Sequence, residues 1–176
     1  MPVSPFLSHR FSWQFGPGRF NLLSQHNKTK RTNTVDSPNI ARTQQCLQAI
    51  ASMGPSEKVA DFCSADIGVQ EFPNRIVPQG RIRRAADLSA AYEQSHKILQ
   101  SQIYTVWRIF DAGDEAVAEL EWTGILAVPV MNLPAGSEMK VFVAMFLTFR
   151  EWKIVSQRNY DCYTPFESRP ASANPG

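Results

Sequence analysis

Two polar residues near the end of the chain are the strongest candidates for chemistry. Asp161 and Asn159 stand two residues apart in the segment Lys153 to Tyr163, which is predicted to be the last strand. Side chains alternate along a strand, so Asp161, Asn159 and Tyr163 share one face. A carboxylate in an apolar pocket has its pKa raised by desolvation, so Asp161 can serve as a general acid or base near neutral pH. The Asn159 amide can hydrogen-bond a carbonyl or enolate oxygen.

Three glutamates form a second group of candidates. Glu119 and Glu121 share one face of a strand predicted over residues 115–128, and Glu71 ends the apolar face of an earlier strand. If these faces meet in one pocket, their carboxylates converge on Asp161. Glu121 is then a further catalytic residue, and Glu71 and Glu119 bind substrate.

The same residues have a purely structural interpretation. Leu120 and Trp122 alternate with the two middle-strand glutamates, and alternation alone does not fix which face is buried. Trp122 and Tyr163 can line a substrate pocket, but large aromatic side chains also fill cores. Glu71 can form an ion pair with one of the arginines that follow it: Arg75, Arg81, Arg83 and Arg84.

Several kinds of site are not indicated by the sequence. The three histidines, His9, His26 and His96, are not clustered, so we predict no metal site. No phosphate-binding loop, dinucleotide fingerprint or Ser-His-Asp arrangement is present, so we predict no cofactor. The three cysteines are widely spaced and odd in number, which fits reduced thiols and a cytoplasmic location.

Charge and hydropathy exclude other classes of function. The 176-residue chain has a net charge of +2, and residues 1–35 carry five basic residues and no acid. The rest is mildly acidic without a basic stripe, so we expect no nucleic-acid partner. The longest apolar run, Val141 to Phe149, is too short to span a bilayer, so we expect no membrane association.

The ends of the chain differ from its body. Residues 1–36 lack a helical or alternating period and contain Gly16, Pro17 and Gly18, so we predict a disordered or cleavable basic leader. An organellar transit peptide is the alternative, because the segment is basic and contains serine. Residues 37–166 form the predicted domain, and residues 167–176, which are rich in proline, form a flexible tail.

The order of elements predicts an α+β fold. Ser37 and Pro38 are typical of a helix start, and Gly54-Pro55 ends that helix. A short second helix and a third helix over residues 85–102 follow, with a strand between them. Four long strands then form a meander, predicted over residues 103–111, 115–128, 138–150 and 153–163. Such a sheet must curl over the helices, and its concave face can hold a pocket.

The body of the chain resembles a known superfamily. Ala118–Gly124, Leu133–Gly136, Arg158–Tyr163 and the Glu71–Asn74 segment followed by Gly80 are similar to SnoaL-like members of the nuclear-transport-factor-2-like superfamily. The resemblance covers residues 38–166. It implies a cone-shaped domain, with a curved antiparallel sheet packed against about three N-terminal helices, and a homodimer through the outer sheet face. Members include ketosteroid isomerases, scytalone dehydratases, limonene epoxide hydrolases and polyketide cyclases, besides non-catalytic binders.

The resemblance also bears on individual residues. Asn159 stands where the epoxide hydrolases carry a catalytic carboxylate, and Glu121 precedes Trp122 as an acid precedes tryptophan there. Glu119 replaces their arginine, which disfavours epoxide hydrolysis. The resemblance therefore implies a cofactor-independent isomerase, cyclase or dehydratase acting on a small apolar carbonyl compound. The alternative is a non-catalytic ligand-binding or dimerisation module. One departure is the turn at Arg150–Lys153, which lacks the glycine usual in these proteins.

Overall fold

The computed structural model describes residues 37–166. The predictions for the basic leader and the tail lie outside these residues. The elements, in chain order, are α1 (Pro38–Ala51), α2 (Ser56–Ala60), β1 (Cys63–Glu71), β2 (Arg81–Arg84), α3 (Ala85–Ile98), β3 (Leu99–Ala112), β4 (Glu115–Leu126), β5 (Glu138–Arg150) and β6 (Lys153–Tyr163). The α+β prediction is confirmed. No helix in this part of the chain is long and apolar enough to cross a membrane.

The six strands form one open sheet in the order β2-β1-β6-β5-β4-β3. The predicted meander is present, because β3 to β6 pair consecutively and antiparallel. The sheet is mixed and not antiparallel throughout, since β1 runs parallel to β6. The meander leaves one edge of β6 unpaired. Strand β1 pairs with that edge, and β2 pairs with the other side of β1 as the edge strand of the sheet. This pairing brings the first and last strands side by side.

The helices cover one face of the sheet, which we call the inner face. Ser37 precedes α1, with Pro38 in its first turn as the sequence predicts, and Thr43, Cys46 and Leu47 are buried. Helix α1 packs on β3 and β4, whereas α3 packs on β1, β2 and β3. Inner-face side chains such as Leu120, with 0% of its surface exposed, fill the core between these layers.

Two local predictions need correction. The third helix ends at Ile98 and not at Gln102, because Leu99 already pairs with Leu126 at the start of β3. Sheet pairing therefore overrides the helical period at this point. The short strand β2 was not predicted. Its four residues, Arg-Ile-Arg-Arg, carry little of the apolar alternation that marks a strand.

The turn between β5 and β6 is a two-residue turn in spite of its sequence. Arg150 pairs with Lys153, which leaves Glu151 and Trp152 at the tip with φ angles of 50° and 65°. Hairpin turns of this length favour glycine or asparagine at such positive-φ positions. The missing glycine is therefore accommodated as backbone strain, and the register of β6 is the one that the sequence predicts.

Candidate functional site

The inner-face side chains line up in rows across the four strands of the meander. One row runs through Tyr163, Val141, Trp122 and Tyr104, and the next through Asp161, Val143, Leu120 and Val106. A third row contains Asn159 and Met145. The rows place Asp161 on β6 and Tyr104 on β3, three strands apart.

A cavity of about 170 Å³ opens over these rows. Its lining residues are Glu71, Tyr104, Trp122, Val141, Val143, Met145, Asn159, Asp161 and Tyr163. The polar groups gather at the β1–β6 end, where Glu71 pairs with Asn159 in the sheet. The β4 and β5 part of the lining is mainly apolar. The cavity can therefore hold a small apolar molecule with one polar end held beside Asp161.

Asp161 has the environment of a proton-transfer group. Burial and, to a smaller extent, the negative charge of Glu71 together raise the pKa of this carboxyl from 3.8 to about 6, against the opposing effect of the Arg81 guanidinium. Its closest hydrogen-bond donor is the Asn74 side chain, at 3.5 Å from Oδ2. The Asn74 Oδ1 atom also accepts hydrogen bonds from the backbone of Ile76 and Val77, at 2.9 Å each, which fixes the loop at the cavity rim.

Glu71 is held by two arginines of the edge strand. The Arg81 Nε and Arg83 Nη1 atoms donate to different carboxylate oxygens, the latter at 2.9 Å, and the Glu71 side chain is 14% exposed. The structural interpretation as an ion pair is therefore correct, and Glu71 lines the cavity as well. Gly80, at a φ of 65°, lets the chain before β2 pass close to Glu71, because a Cβ at this position would lie 2.8 Å from the Glu71 carbonyl oxygen.

Two tyrosine hydroxyls and one amide complete the polar lining. Burial raises the pKa of both Tyr104 and Tyr163, so their hydroxyls remain protonated and can donate hydrogen bonds. The Asn159 side chain accepts a hydrogen bond from Gln157 Nε2 at 3.1 Å, which leaves its amide nitrogen as a donor. Tyr104 was not among the predicted site residues. The signal that would have found it is its register opposite Trp122, which the sequence alone does not show.

Trp122 is fixed against the apolar side of the cavity. Its Nε1 atom donates to Gln102 Oε1 at 2.8 Å, and Gln102 in turn donates to the Ile50 carbonyl of α1 at 2.8 Å. The ring occupies the space beside Gly124, where a Cβ would lie only 2.5 Å from it. Gly124 therefore permits the position that makes Trp122 a wall of the cavity.

The structure does not bring Glu119 and Glu121 to the cavity, so their expected convergence with Asp161 does not occur. Both lie on the outer face, because the even-numbered residues of β4 are the buried ones. Lys140 Nζ approaches Glu121 Oε1 at 3.0 Å, and Arg108 Nε lies 3.4 Å from Glu119. The alternative interpretation of this strand, with Leu120 and Trp122 inside, is the correct one.

No metal cluster is apparent within residues 37–166, and two of the three thiols in this range are weakly reactive. No group of three or more His, Cys, Asp or Glu side chains in this range could hold a metal ion. Burial raises the pKa of the Cys46 thiol to about 12, and it raises that of Cys63 as well. Both thiols are therefore protonated and weakly nucleophilic at neutral pH. His9 and His26 lie outside the described residues.

Comparison with known proteins identifies the fold. No family profile matches the chain, and no curated protein sequence matches it. Solved structures do match. IdmH from Streptomyces antibioticus, a proposed polyketide cyclase, is 16% identical with a TM-score of 0.60, over 71% of this chain and 91% of its own. A proposed SnoaL-like polyketide cyclase from Jannaschia sp. CCS1 is 12% identical with a TM-score of 0.59, over 73% and 88%.

A third match contains a bound ligand. It is a hypothetical protein with a ketosteroid isomerase-like fold from Catenulispora acidiphila, in complex with trimethylamine. It is 16% identical with a TM-score of 0.55, and the match covers 68% of this chain and 83% of that one. These matches confirm the predicted fold, which is that of the SnoaL-like, nuclear-transport-factor-2-like and ketosteroid isomerase-like proteins. At such identities they establish the fold alone, and activity must be argued from the site.

Proposed function

We propose that this domain binds a small apolar carbonyl compound in the cavity and transfers a proton at the carbon next to the carbonyl, with Asp161 as general base and acid. The single observation that carries the proposal is the Asp161 carboxyl, with its pKa raised to about 6 at the polar end of a mainly apolar cavity. A group with this pKa is available in both protonation states near neutral pH. The chemistry needs no cofactor.

The proposed step is an enolisation. The Asp161 carboxylate takes the proton from the carbon next to the carbonyl, the electron pair of that C–H bond forms the C=C bond of the enolate, and the π pair of the carbonyl moves onto its oxygen. Hydrogen bonds from the Asn159 amide and from the Tyr163 hydroxyl stabilise the enolate oxygen. Return of the proton to another carbon completes an isomerisation. Attack of the enolate carbon on a second carbonyl of the same molecule forms a C–C bond and an alkoxide, which takes the proton from Asp161 and completes a cyclisation. In a dehydration the proton passes from Asp161 to a β-hydroxyl group, which leaves as water.

Two of the structural neighbours support this class of function. IdmH and the Jannaschia protein are proposed polyketide cyclases, and cyclisation of a polyketide joins an enolate carbon to a carbonyl. The trimethylamine complex is an instance of this fold holding a small organic molecule. Each neighbour is less than a fifth identical to this chain, so the proposal depends on the Asp161 site itself.

Deuterium exchange tests the proposal without knowledge of the natural substrate. 2-Tetralone is a two-ring ketone with acidic hydrogens next to its carbonyl, and NMR in D₂O follows their exchange. We expect the protein to accelerate exchange above a buffer blank, with a rate that rises as pH passes through about 6. Asp161→Asn should lose this acceleration, because the amide accepts no proton. Glu119→Gln on the outer face is the matched control and should keep it.

Two results would contradict the proposal. Full activity of Asp161→Asn would remove this carboxyl from the mechanism. Binding of 2-tetralone by the wild-type protein without any exchange would favour a non-catalytic binding module, which is the second candidate function.

The outer face of the sheet supports the expected homodimer. Large apolar side chains are exposed there, on β3, β5 and β6: Ile103, Trp107, Phe110, Phe142 and Tyr160. Trp107, which is half exposed, lies against Phe142 with 5.8 Å between ring centroids. Several large exposed apolar side chains on one face mark an interaction surface. We propose that a second copy of the chain covers it.

Sedimentation velocity tests the dimer. The wild-type protein should sediment as a dimer at micromolar concentration, and Phe142→Glu should sediment as a monomer, because a charge would be placed in the centre of the patch. Ile82→Glu is the control, since Ile82 is exposed on the edge strand β2, away from the patch. A wild-type monomer, or a dimer that persists in Phe142→Glu, would contradict this interface.

A further inference from the structure

Tyr104 lies at the end of the cavity opposite the acid. Asp161, on β6, and Tyr104, on β3, are three strands apart, which is about 14 Å along a flat sheet. Both residues line the same cavity. A ligand whose carbonyl lies beside Asp161 and whose body crosses β5 and β4 therefore ends against the Tyr104 ring.

A second hollow also has Tyr104 in its lining. It has a volume of about 320 Å³ and lies between α1 and β3, and we call it the α1–β3 groove. Its lining residues are Gln44, Leu47, Gln48, Ala51, Tyr104 and Val106. Tyr104 is the residue common to the linings of the cavity and the groove. The groove is nearly twice as large as the cavity, and the exposed Gln44 and Gln48 side chains give it a polar outer wall.

We propose that Tyr104 determines ligand length: its ring closes the cavity toward the α1–β3 groove, so the site accepts compact one- or two-ring carbonyl compounds and rejects the same compounds when extended beyond β3. This inference rests on the proposed function, because it concerns the ligand of the same cavity. It adds the specificity-determining residue and the direction in which a longer ligand must extend.

The chemistry of the two hollows agrees with this division. The cavity side of Tyr104 carries Trp122 and Val141, which suit the apolar body of a ligand. The groove side carries two amides that can hydrogen-bond a hydroxyl or carbonyl substituent. Removal of the ring would join the spaces into one site with a polar group at each end. The natural ring keeps the second polar end out of reach of any ligand seated at Asp161.

Two ligands that share a reacting head but differ in length test the inference. 2-Tetralone fits the compact class, and 6-phenyl-2-tetralone carries an additional ring at the far end. We expect the wild-type protein to bind the short ketone more tightly, as measured by isothermal titration calorimetry. In Tyr104→Ala the affinity for the long ketone should rise by about tenfold or more, because a buried phenyl group contributes at least that much. Tyr104→Phe keeps the ring and should behave as the wild-type protein does.

A second substitution, in the α1–β3 groove, tests whether the long ketone binds by entering the groove or because the whole site has become less rigid. Gln48→Trp fills the groove from exposed helix α1 and should leave short-ketone binding unchanged in the wild-type background. In the Tyr104→Ala background it should abolish the gain for the long ketone. Tyr104→Leu provides an intermediate opening in case the alanine variant does not fold, which thermal unfolding monitors.

The possible results distinguish the two proposals. If the wild-type protein does not bind 2-tetralone, the proposed function is wrong and the inference falls with it. If the wild-type protein binds 2-tetralone but both smaller side chains at position 104 give no gain for the long ketone, only the inference is wrong. The inference is also wrong if Tyr104→Phe gains affinity for the long ketone, or if the gain in Tyr104→Ala persists when Gln48→Trp is added.

Discussion

Replacement of Asp161 by asparagine should make the protein more stable at alkaline pH than the wild-type protein. Asp161 has a folded-state pKa of about 6, against an ordinary value of 3.8. A carboxyl whose pKa is raised on folding stabilises the fold while it is protonated, and this contribution is lost as pH rises through the folded pKa. Above about pH 6 the ionised Asp161 therefore opposes folding. Asparagine keeps the shape and removes the charge.

The magnitude follows from the two pKa values. An interval from 3.8 to about 6 corresponds to ~3 kcal/mol of unfolding free energy at full effect. The cavity is open to solvent, and screening by water lowers this figure, so we expect a gain of about 1–2 kcal/mol at pH 8. Near pH 3.5 the carboxyl is protonated in both folded and unfolded chains, so the gain should vanish.

Urea unfolding at pH 3.5, 6 and 8 measures the effect as the difference in unfolding free energy between variant and wild type. Glu119→Gln is the matched control, since its side chain is half exposed in an ion pair on the outer face. It should change stability by less than about 0.5 kcal/mol at each pH. A variant Asp161→Asn that is equally or less stable than the wild type at pH 8 would refute the argument that burial dominates the environment of Asp161.

Three further predictions concern the surroundings of the site and the last turn. Gly124→Ala should lower the unfolding free energy by about 1–3 kcal/mol and weaken ketone binding, because the new Cβ would lie 2.5 Å from the Trp122 ring and displace it. Urea unfolding measures the stability, and calorimetry measures the binding. Unchanged binding would contradict the role of Trp122 as a cavity wall. Glu71→Gln should move the pH midpoint of 2-tetralone exchange downward, because a negative charge that raises the Asp161 pKa is removed while the Arg81 charge remains. A midpoint that stays or rises in the NMR assay would contradict the influence of Glu71 on the Asp161 pKa. The double variant Glu151→Asn with Trp152→Gly should raise the unfolding free energy by about 1–2 kcal/mol, because both positions have positive φ, which asparagine and glycine adopt with less strain. Equal or lower stability would show that the turn is not strained.

Much of the meander was predictable from the sequence because each of its strands has a strong local signature. The predicted bounds of β5 and β6 match the structure, since both segments contain many apolar, β-branched and aromatic residues and are separated by the Arg150–Lys153 turn. The parallel pairing of β1 with β6 was not predictable in this way. It joins segments at opposite ends of the domain, and no local pattern encodes the partner of a strand.

The candidate site was predictable on β6 and only partly elsewhere. Asp161, Asn159 and Tyr163 share a face by alternation alone, and one cavity contains all three. Alternation does not determine which face of β4 is buried. The structure shows that the buried face is the one with Ala116, Ala118 and Leu120, which are fully buried. Glu119 and Glu121 were therefore placed on the wrong side. Tyr104 depends on the register between β3 and β4, which the sequence does not specify.

The parallel pairing of β1 with β6 has a consequence for the order in which the protein folds. The three hairpin connections of the meander close over short stretches of chain, whereas β1 can join β6 only after a much longer loop has closed, which is slow. Because β1 pairs directly with β6, Asp161 is not fully buried until β1 and β2 join the sheet. We therefore expect Asp161 to retain ordinary acidity in the folding transition state. Its replacement by asparagine should then slow unfolding at pH 8 and leave the rate of folding almost unchanged.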